Sequence, residues 1–231
     1  MQEIPDITQA IQDTDTFPLI PEVYLASAPL RFDFSRNNPD LEGIDMMSAT
    51  SLDTYVRETL RKAGRSWGLG GYGEDRFFYQ SSELFKKGNE YRTIHLGIDI
   101  WLPPGTELRV PVAATVRNVQ DNAHFLDYGP TVILEHHIGG IDFFTLYGHL
   151  GRESIRHLSV GQELKAGEQL AVIGDITENG SWAPHLHVQI IRDMLGNVGD
   201  FPGTAAPSEK GLYLQNSPDP EVLISRFIVP A

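Results

Sequence analysis

Thr131-Val132-Ile133-Leu134-Glu135-His136-His137-Ile138-Gly139-Gly140-Ile141-Asp142-Phe143-Phe144-Thr145-Leu146-Tyr147-Gly148-His149 is the stretch that decides the fold. Two runs within it, 131–136 and 142–146, are short and rich in branched and aromatic side chains, and glycines separate them, as strands require. Outward from this pair the same signature recurs at 95–101, 107–110, 113–119, 170–173 and 187–191, with Gly, Pro, Asn and Asp between the runs. Many short strands with turn signals imply a mainly β fold, an antiparallel sheet or sandwich. Gly105-Thr106-Glu107-Leu108-Arg109 is echoed by Gly161-Gln162-Glu163-Leu164-Lys165, each ahead of a further strand. A duplicated β unit of hybrid-motif type is therefore expected.

Upstream of about residue 91 the character differs. Pro5, Pro18, Pro21, Pro29 and Pro39 predict an irregular N-terminal arm over the first 50 or so residues. Its Phe17, Leu19, Ile20, Val23, Tyr24 and Leu25 are too apolar for a free tail. One helix is predicted over 51–63, with Ser51 as N-cap, Leu52, Tyr55, Val56, Leu60 and Ala63 at helical spacing, and Gly64 as the stop. Trp67-Gly68-Leu69-Gly70-Gly71-Tyr72-Gly73 reads as a glycine loop turning against the core, since no Lys-bearing phosphate-loop context follows. The expected division is an arm and helix over 1–75, a β-rich domain over 76–200, and a tail over 201–231. That tail would dock through Leu212-Tyr213-Leu214 and Val222-Leu223-Ile224.

Cysteine is absent, so disulfides and thiolate metal sites are excluded. A net charge of −13 opposes nucleic acid, anionic membranes and a strongly anionic cell wall as partners. The basic residues Arg57, Arg61, Lys62 and Arg65 fall on the predicted helix and read as a solvated face. Met1-Gln2-Glu3-Ile4-Pro5-Asp6 shows no export signal, and no run is long enough to span a membrane, so a cytoplasmic protein without membrane insertion is expected.

Five polar groups interrupt the apolar runs: His95 and Asp99 in I-H-L-G-I-D, His149 in L-Y-G-H-L, and His185 and His187 in P-H-L-H. An unpaired polar group placed in such a run costs stability. Three of the five suit a first-row metal, above all zinc, and two histidines remain for moving protons. Side chains two or four apart on a strand share a face, so His185 with His187, and His95 with Asp99, are expected to converge. Gly97 leaves the space between His95 and Asp99 free of side chain. His136 and His137 end a strand, one necessarily facing outward, with His136 a candidate support for the centre. His124 and His157 lie in polar loops.

His95-Leu96-Gly97-Ile98-Asp99, Leu146-Tyr147-Gly148-His149-Leu150 and Pro184-His185-Leu186-His187 together resemble the lysostaphin-type (LytM-like) zinc metalloendopeptidases. Gly161-Gln162-Glu163-Leu164-Lys165-Ala166-Gly167 is similar to that family's G-x-x-V-x-x-G segment, and the likeness covers about residues 91 to 191. The resemblance implies a β-rich hydrolase of peptide bonds, often in peptidoglycan cross-links, with a peptide or muropeptide substrate. It implies His95, Asp99 and His187 as zinc ligands, His185 as the base, and His149 as a second catalytic histidine bonding the oxyanion. Tyr147 is a candidate supporting donor.

The chain departs from the family where Thr177-Glu178-Asn179-Gly180-Ser181-Trp182-Ala183 replaces a small-residue turn, so Trp182 and Glu178 are expected to reshape the groove. Ala114 and Val188-Gln189 also depart. Phe32-Asp33-Phe34-Ser35, Gly71-Tyr72-Gly73-Glu74-Asp75-Arg76 and Arg92-Thr93-Ile94-His95 resemble a peptidase-like module found fused to kinase-like and aminotransferase domains, which implies a small cytoplasmic peptide or amino-acid derivative as substrate. Glu74 and Arg76 otherwise read as an exposed ion pair worth little. The rival reading is a non-catalytic zinc-binding regulatory or interaction module on the same fold. A lipoyl-like carrier, suggested by Val160-Gly161-Gln162 and Lys165-Ala166-Gly167, lacks the flanked hairpin lysine.

Overall fold

A computed structural model describes residues 6–230. Its centre is an eight-stranded sheet in the order Leu30–Phe32, Gly68–Gly70, Ile98–Trp101, Leu186–Ile191, Ile141–Gly148, Gly129–Ile138, Ala114–Asn122, Glu163–Leu164. Every neighbouring pair is antiparallel except the first, which is parallel. Six of the seven strands expected from the apolar runs are present, the seventh, 95–101, is split in two, and the fold is mainly β.

Both faces of the sheet are covered at Ile98–Trp101 and Leu186–Ile191, whose residues are all buried, and the period of two assigns each side chain to a face. Along Leu186–Ile191, Leu186, Val188 and Ile190 enter the main core with Ile98, Ile100, Val132, Leu134 and Tyr147. The intervening His187 and Gln189 face the other way, as does Asp99, which pairs with His187. The core is shared with a small sheet of Glu107–Arg109 and Gln169–Val172 through Leu108, Leu170 and Ala171. Ile7, Ile11, Leu19, Ile20 and Leu25 pack into the same core, although Val23 is exposed.

The echoed turns are structurally equivalent. Gly105 N donates to Ile173 O while Ile173 N donates to Thr106 O, and Gly161 N donates to Val116 O while Val116 N donates to Gln162 O. Each echo's strand pairs with the strand that follows the other copy: Glu107–Arg109 with Gln169–Val172, and Glu163–Leu164 with Ala114–Asn122.

Several expectations need correction. The arm is not wholly irregular: it contains a helix, Ile7–Gln12, capped by Asp6, and the strand Leu30–Phe32. The helix placed at 51–63 begins earlier, at Ala49, because Ser48 accepts from Ser51 N as N-cap; Gly64 ends it at φ +62° as expected. It is not the sole helix, since Lys210–Asn216 is helical too, with Leu212 exposed while Leu223 and Ile224 are buried. The glycine segment is a turn only at its end, Tyr72-Gly73, where Gly73 has φ +69°; Gly68–Gly70 is a sheet strand beside Ile98–Trp101. Glycine's weak strand propensity hid it, and pairing imposes the conformation. Strand 95–101 is broken, with Ile94–His95 pairing with Thr204–Ala205 and Ile98–Trp101 entering the central sheet. Among the described residues no helix is long and apolar enough to cross a membrane.

Candidate metal centre

His95, Asp99 and His187 meet in a buried group. His95 Nε2 lies 3.1 Å from His187 Nδ1. Asp99 Oδ1 is 3.3 Å from the former and 3.2 Å from the latter. His95 and Asp99 are brought together by two separate strands rather than by one continuous face, the chain turning at Leu96-Gly97 between them. His187 reaches Asp99 because the two are paired across neighbouring strands.

The outward nitrogen of each histidine fixes what the inward one offers. His95 Nδ1 is 2.9 Å from Gly71 O, and a carbonyl can only accept, so that nitrogen carries the proton and Nε2 presents a lone pair. His187 Nε2 is 3.2 Å from Gln189 Oε1, while Gln189 Nε2 donates to Pro202 O and Ser217 Oγ. The amide oxygen is therefore the acceptor, and His187 Nδ1 is bare. Burial, with Arg76's charge beside it, pushes His95 down to about 4, so its ring is neutral near pH 7. Burial alone would raise Asp99, but the charged Arg76, 2.6 Å from Oδ2, holds it well below the usual carboxylate range.

Three lone-pair atoms thus face one another with no proton to share, an arrangement a cation relieves. Their spacing matches the roughly 3.3 Å between ligand atoms of a tetrahedral site with bonds of about 2.0–2.1 Å. The donor set therefore fits a zinc-type ion. Each imidazole also hands its outer N–H to a carbonyl or amide oxygen, as metal-ligating histidines do.

His149 and His185 stand beside this group, with ring centroids 4.3 Å apart. His185 Nδ1 bonds Ala183 O at 2.7 Å and its Nε2 is 3.7 Å from Asp99 Oδ1. Trp101 stacks on the His185 ring at 4.4 Å. His149 adopts φ +65°, and its Nδ1 bonds Asn179 O at 2.9 Å. Both rings therefore carry their proton on Nδ1 and keep Nε2 as an acceptor. Burial, then the neighbouring His185 and His187, push His149 well below its ordinary value, and burial lowers His185.

Arg76 and Glu74 are not the exposed pair expected. Arg76 is buried, with Nε 2.8 Å from Glu74 Oε2 and Nη1 2.6 Å from Asp99 Oδ2. Trp182 lines the pocket over the centre, whereas Glu178 braces the turn at Arg152 N. Tyr147 points into the main core, on the opposite face to its neighbour Gly148, which pairs with His187. His136 bonds Ala113 O and Thr145 Oγ1, not a member of the centre. His137 is exposed beside Asp142, and His124 and His157 are exposed. Beyond Arg76 and Glu74, the sequence pattern does not mark Gln189 behind His187, Asn179 behind His149, or Tyr128, whose ring lies 5.3 Å from His187 and 5.8 Å from His149. Gln189 could still have been found, since it shares His187's strand face two residues on.

Residues 93–198 match the family described as Peptidase family M23, which bears out the likeness read from the three motifs. Among solved structures the chain is similar to a zinc containing peptidase from Vibrio cholerae, at 26% identity over 42% of this chain and 27% of that one, TM-score 0.35. It is similar to the catalytic domain of lysostaphin from Staphylococcus simulans, at 22% identity over 58% of this chain and 96% of that domain, TM-score 0.37. A variant catalytic domain of a prophage-encoded M23 protein from Enterococcus faecalis is 24% identical over 53% of this chain and 83% of that one, TM-score 0.37. The match thus spans about a quarter of the Vibrio cholerae peptidase. No curated protein matches.

Proposed function

We propose that this chain is a zinc-dependent peptidase that hydrolyses the amide bond of a short peptide, with His95, Asp99 and His187 as the metal ligands. The observation that carries the reading is the convergence of His95 Nε2, His187 Nδ1 and Asp99 Oδ1, each outer group already committed. When bound, zinc supplies Lewis acidity, lowering the pKa of a water to about 7 and polarising a carbonyl oxygen. His185, with Nδ1 tied to Ala183 O, turns its bare Nε2 to the centre and takes a proton from water. The water oxygen adds to the carbonyl carbon, the C–N bond breaks, and the proton passes from His185 to the leaving amine. The products are an acid and an amine. His149 is a second proton acceptor. The oxyanion-donor role implied by the family needs a proton on Nε2, and the bond from Nδ1 to Asn179 O leaves that nitrogen bare.

What supports a short substrate is the pocket over the centre, about 230 Å³, with Phe34, Phe78, Tyr79, Phe85 and Trp182 forming an aromatic wall beside His185. Such a wall suits an apolar side chain. The acidic balance of the chain, at −13, favours a soluble cytoplasmic peptide over an anionic wall polymer.

Metal content after reconstitution with zinc, in wild type and His187→Ala, tests the ligand set. Turnover of short peptides and of muropeptides, with and without chelator, tests the reaction. About one zinc per chain, lost in the variant, with chelator-sensitive cleavage, is the expected result. Zinc without cleavage of any substrate would favour the non-catalytic binding module.

A further inference from the structure

The two oxygens of Asp99 are divided. Oδ1 faces His95, His187 and His185 at 3.3, 3.2 and 3.7 Å. Oδ2 is taken by Arg76 Nη1 at 2.6 Å. The guanidinium is itself clamped, since Nε donates to Glu74 Oε2 at 2.8 Å, and Glu74 Oε1 accepts from Phe34 N at 2.9 Å. Nη1 also donates to Tyr79 Oη at 3.2 Å, and the Phe34 ring lies 5.3 Å from the guanidinium carbon. The glycines of the Gly68–Gly70 strand and its continuation make room for this assembly. A Cβ at Gly70 would stand 3.0 Å from Arg76 Nη2 and 3.4 Å from Asp99 Cβ, and one at Gly71 would stand 2.9 Å from Glu74 Oε1.

Burying a carboxylate–guanidinium–carboxylate row gains little stability over apolar side chains of similar volume. What the row does supply is direction. A carboxylate free at both oxygens can rotate, or offer both to a metal; one tethered at Oδ2 offers Oδ1 alone.

We propose that Arg76 is a positioning residue for the metal centre, holding Asp99 so that it serves as a one-oxygen ligand, with Glu74 as the anchor for Arg76. This rests on the metal site of the proposed function. Outer groups of this kind typically alter metal affinity 10–100-fold.

The test uses the full chain and measures zinc affinity by chelator competition, with the visible spectrum of the cobalt(II)-loaded protein as the reporter of ligand geometry. Arg76→Met is expected to bind zinc roughly 10–100-fold more weakly and to shift the cobalt band, while Arg76→Lys recovers part of the affinity. Unchanged affinity and spectrum in Arg76→Met would overturn the proposal. Should Arg76→Met not fold, Glu74→Gln and Arg76→Lys carry the test: weaker zinc binding and a shifted band at unaltered melting temperature support it, and wild-type values in both sink it. If wild type binds no metal, the ligand set itself has failed, whereas normal wild-type binding with insensitive variants removes only the role of Arg76.

Discussion

Oε1 of Gln189 lies 3.2 Å from Nε2 of His187, two residues back on the same strand face. The amide is held by its own donations to Pro202 O and Ser217 Oγ, so it can act only as an acceptor toward the ring. That sets the His187 tautomer. Replacing Gln189 by Leu is expected to weaken zinc binding about 10–100-fold by freeing the ring. It should also cost about 1–3 kcal/mol, because the buried Ser217 hydroxyl loses its partner. Chelator competition and denaturant unfolding would check the two effects separately.

His149 and His185 are in the pocket but outside the group His95, Asp99 and His187 proposed to hold the metal. His149→Ala and His185→Ala are each expected to keep full zinc stoichiometry while lowering peptide turnover by a hundred- to ten-thousand-fold, roughly the contribution of a positioned acid or base. Metal analysis beside steady-state rates separates the roles. Loss of zinc in either variant would move that residue into the ligand set.

The five polar residues of the centre were legible in the sequence because each interrupts an apolar run, where strand alternation alone brings His187 to one face. Arg76 and Glu74 were not. Their segment is locally polar and glycine-rich, and nothing within it shows that Phe34 and Asp99, 40 and 23 positions away, would close around it. Tyr128 escaped for a related reason: it contacts His149 and His187 through tertiary packing with no local periodicity to mark it. The strand Gly68–Gly70 was hidden because pairing with Ile98–Trp101, not propensity, makes it extended.

Metal binding and stability should be linked. A ligand held only by the folded chain stabilises it by about 4 kcal/mol at a thousandfold excess over its Kd. For a chain of this size that corresponds to a rise of roughly 10 °C in Tm. Differential scanning fluorimetry with zinc and with chelator is expected to show this shift in wild type and none in His95→Ala. Equal shifts in both would place the ion elsewhere.

His136 provides a pH dependence away from the centre. Burial pushes it down to about 4, partly offset by its bond to Ala113 O. In the unfolded chain a histidine titrates near 6.5, so there the unfolded state takes the proton first. Stability is therefore full above about pH 6.5, falls as the pH drops toward 4, and then levels. The span amounts to about 3 kcal/mol. His136→Gln should lose less stability than wild type between pH 7 and about 4.5 by a large part of that figure. An identical loss in both proteins would assign the acid sensitivity to other groups.

Gly97 leaves the space between His95 and Asp99 free of side chain, and the His187 ring and Val188 carbonyl use that space. A Cβ there would lie 2.7 Å from Cε1 and Nε2 of His187 and 2.6 Å from Val188 O. The ring could swing aside only by breaking its bond to Gln189, and the carbonyl cannot move without parting Ile98–Trp101 from Leu186–Ile191. Gly97 carries no positive φ, so the cost of a methyl group is overpacking rather than backbone strain. Gly97→Ala is therefore expected to destabilise the fold by about 2–3 kcal/mol, toward the upper end for an added methyl in a packed interior. Zinc affinity should fall with it, because the displaced atom belongs to the ring of His187, a ligand in the proposed site. The two effects separate in a urea titration run with and without zinc: the loss of metal-linked stabilisation should exceed the loss in the metal-free chain. If Gly97→Ala unfolds with the wild-type midpoint and binds zinc as tightly, the two strands are farther apart at this point than the structure places them.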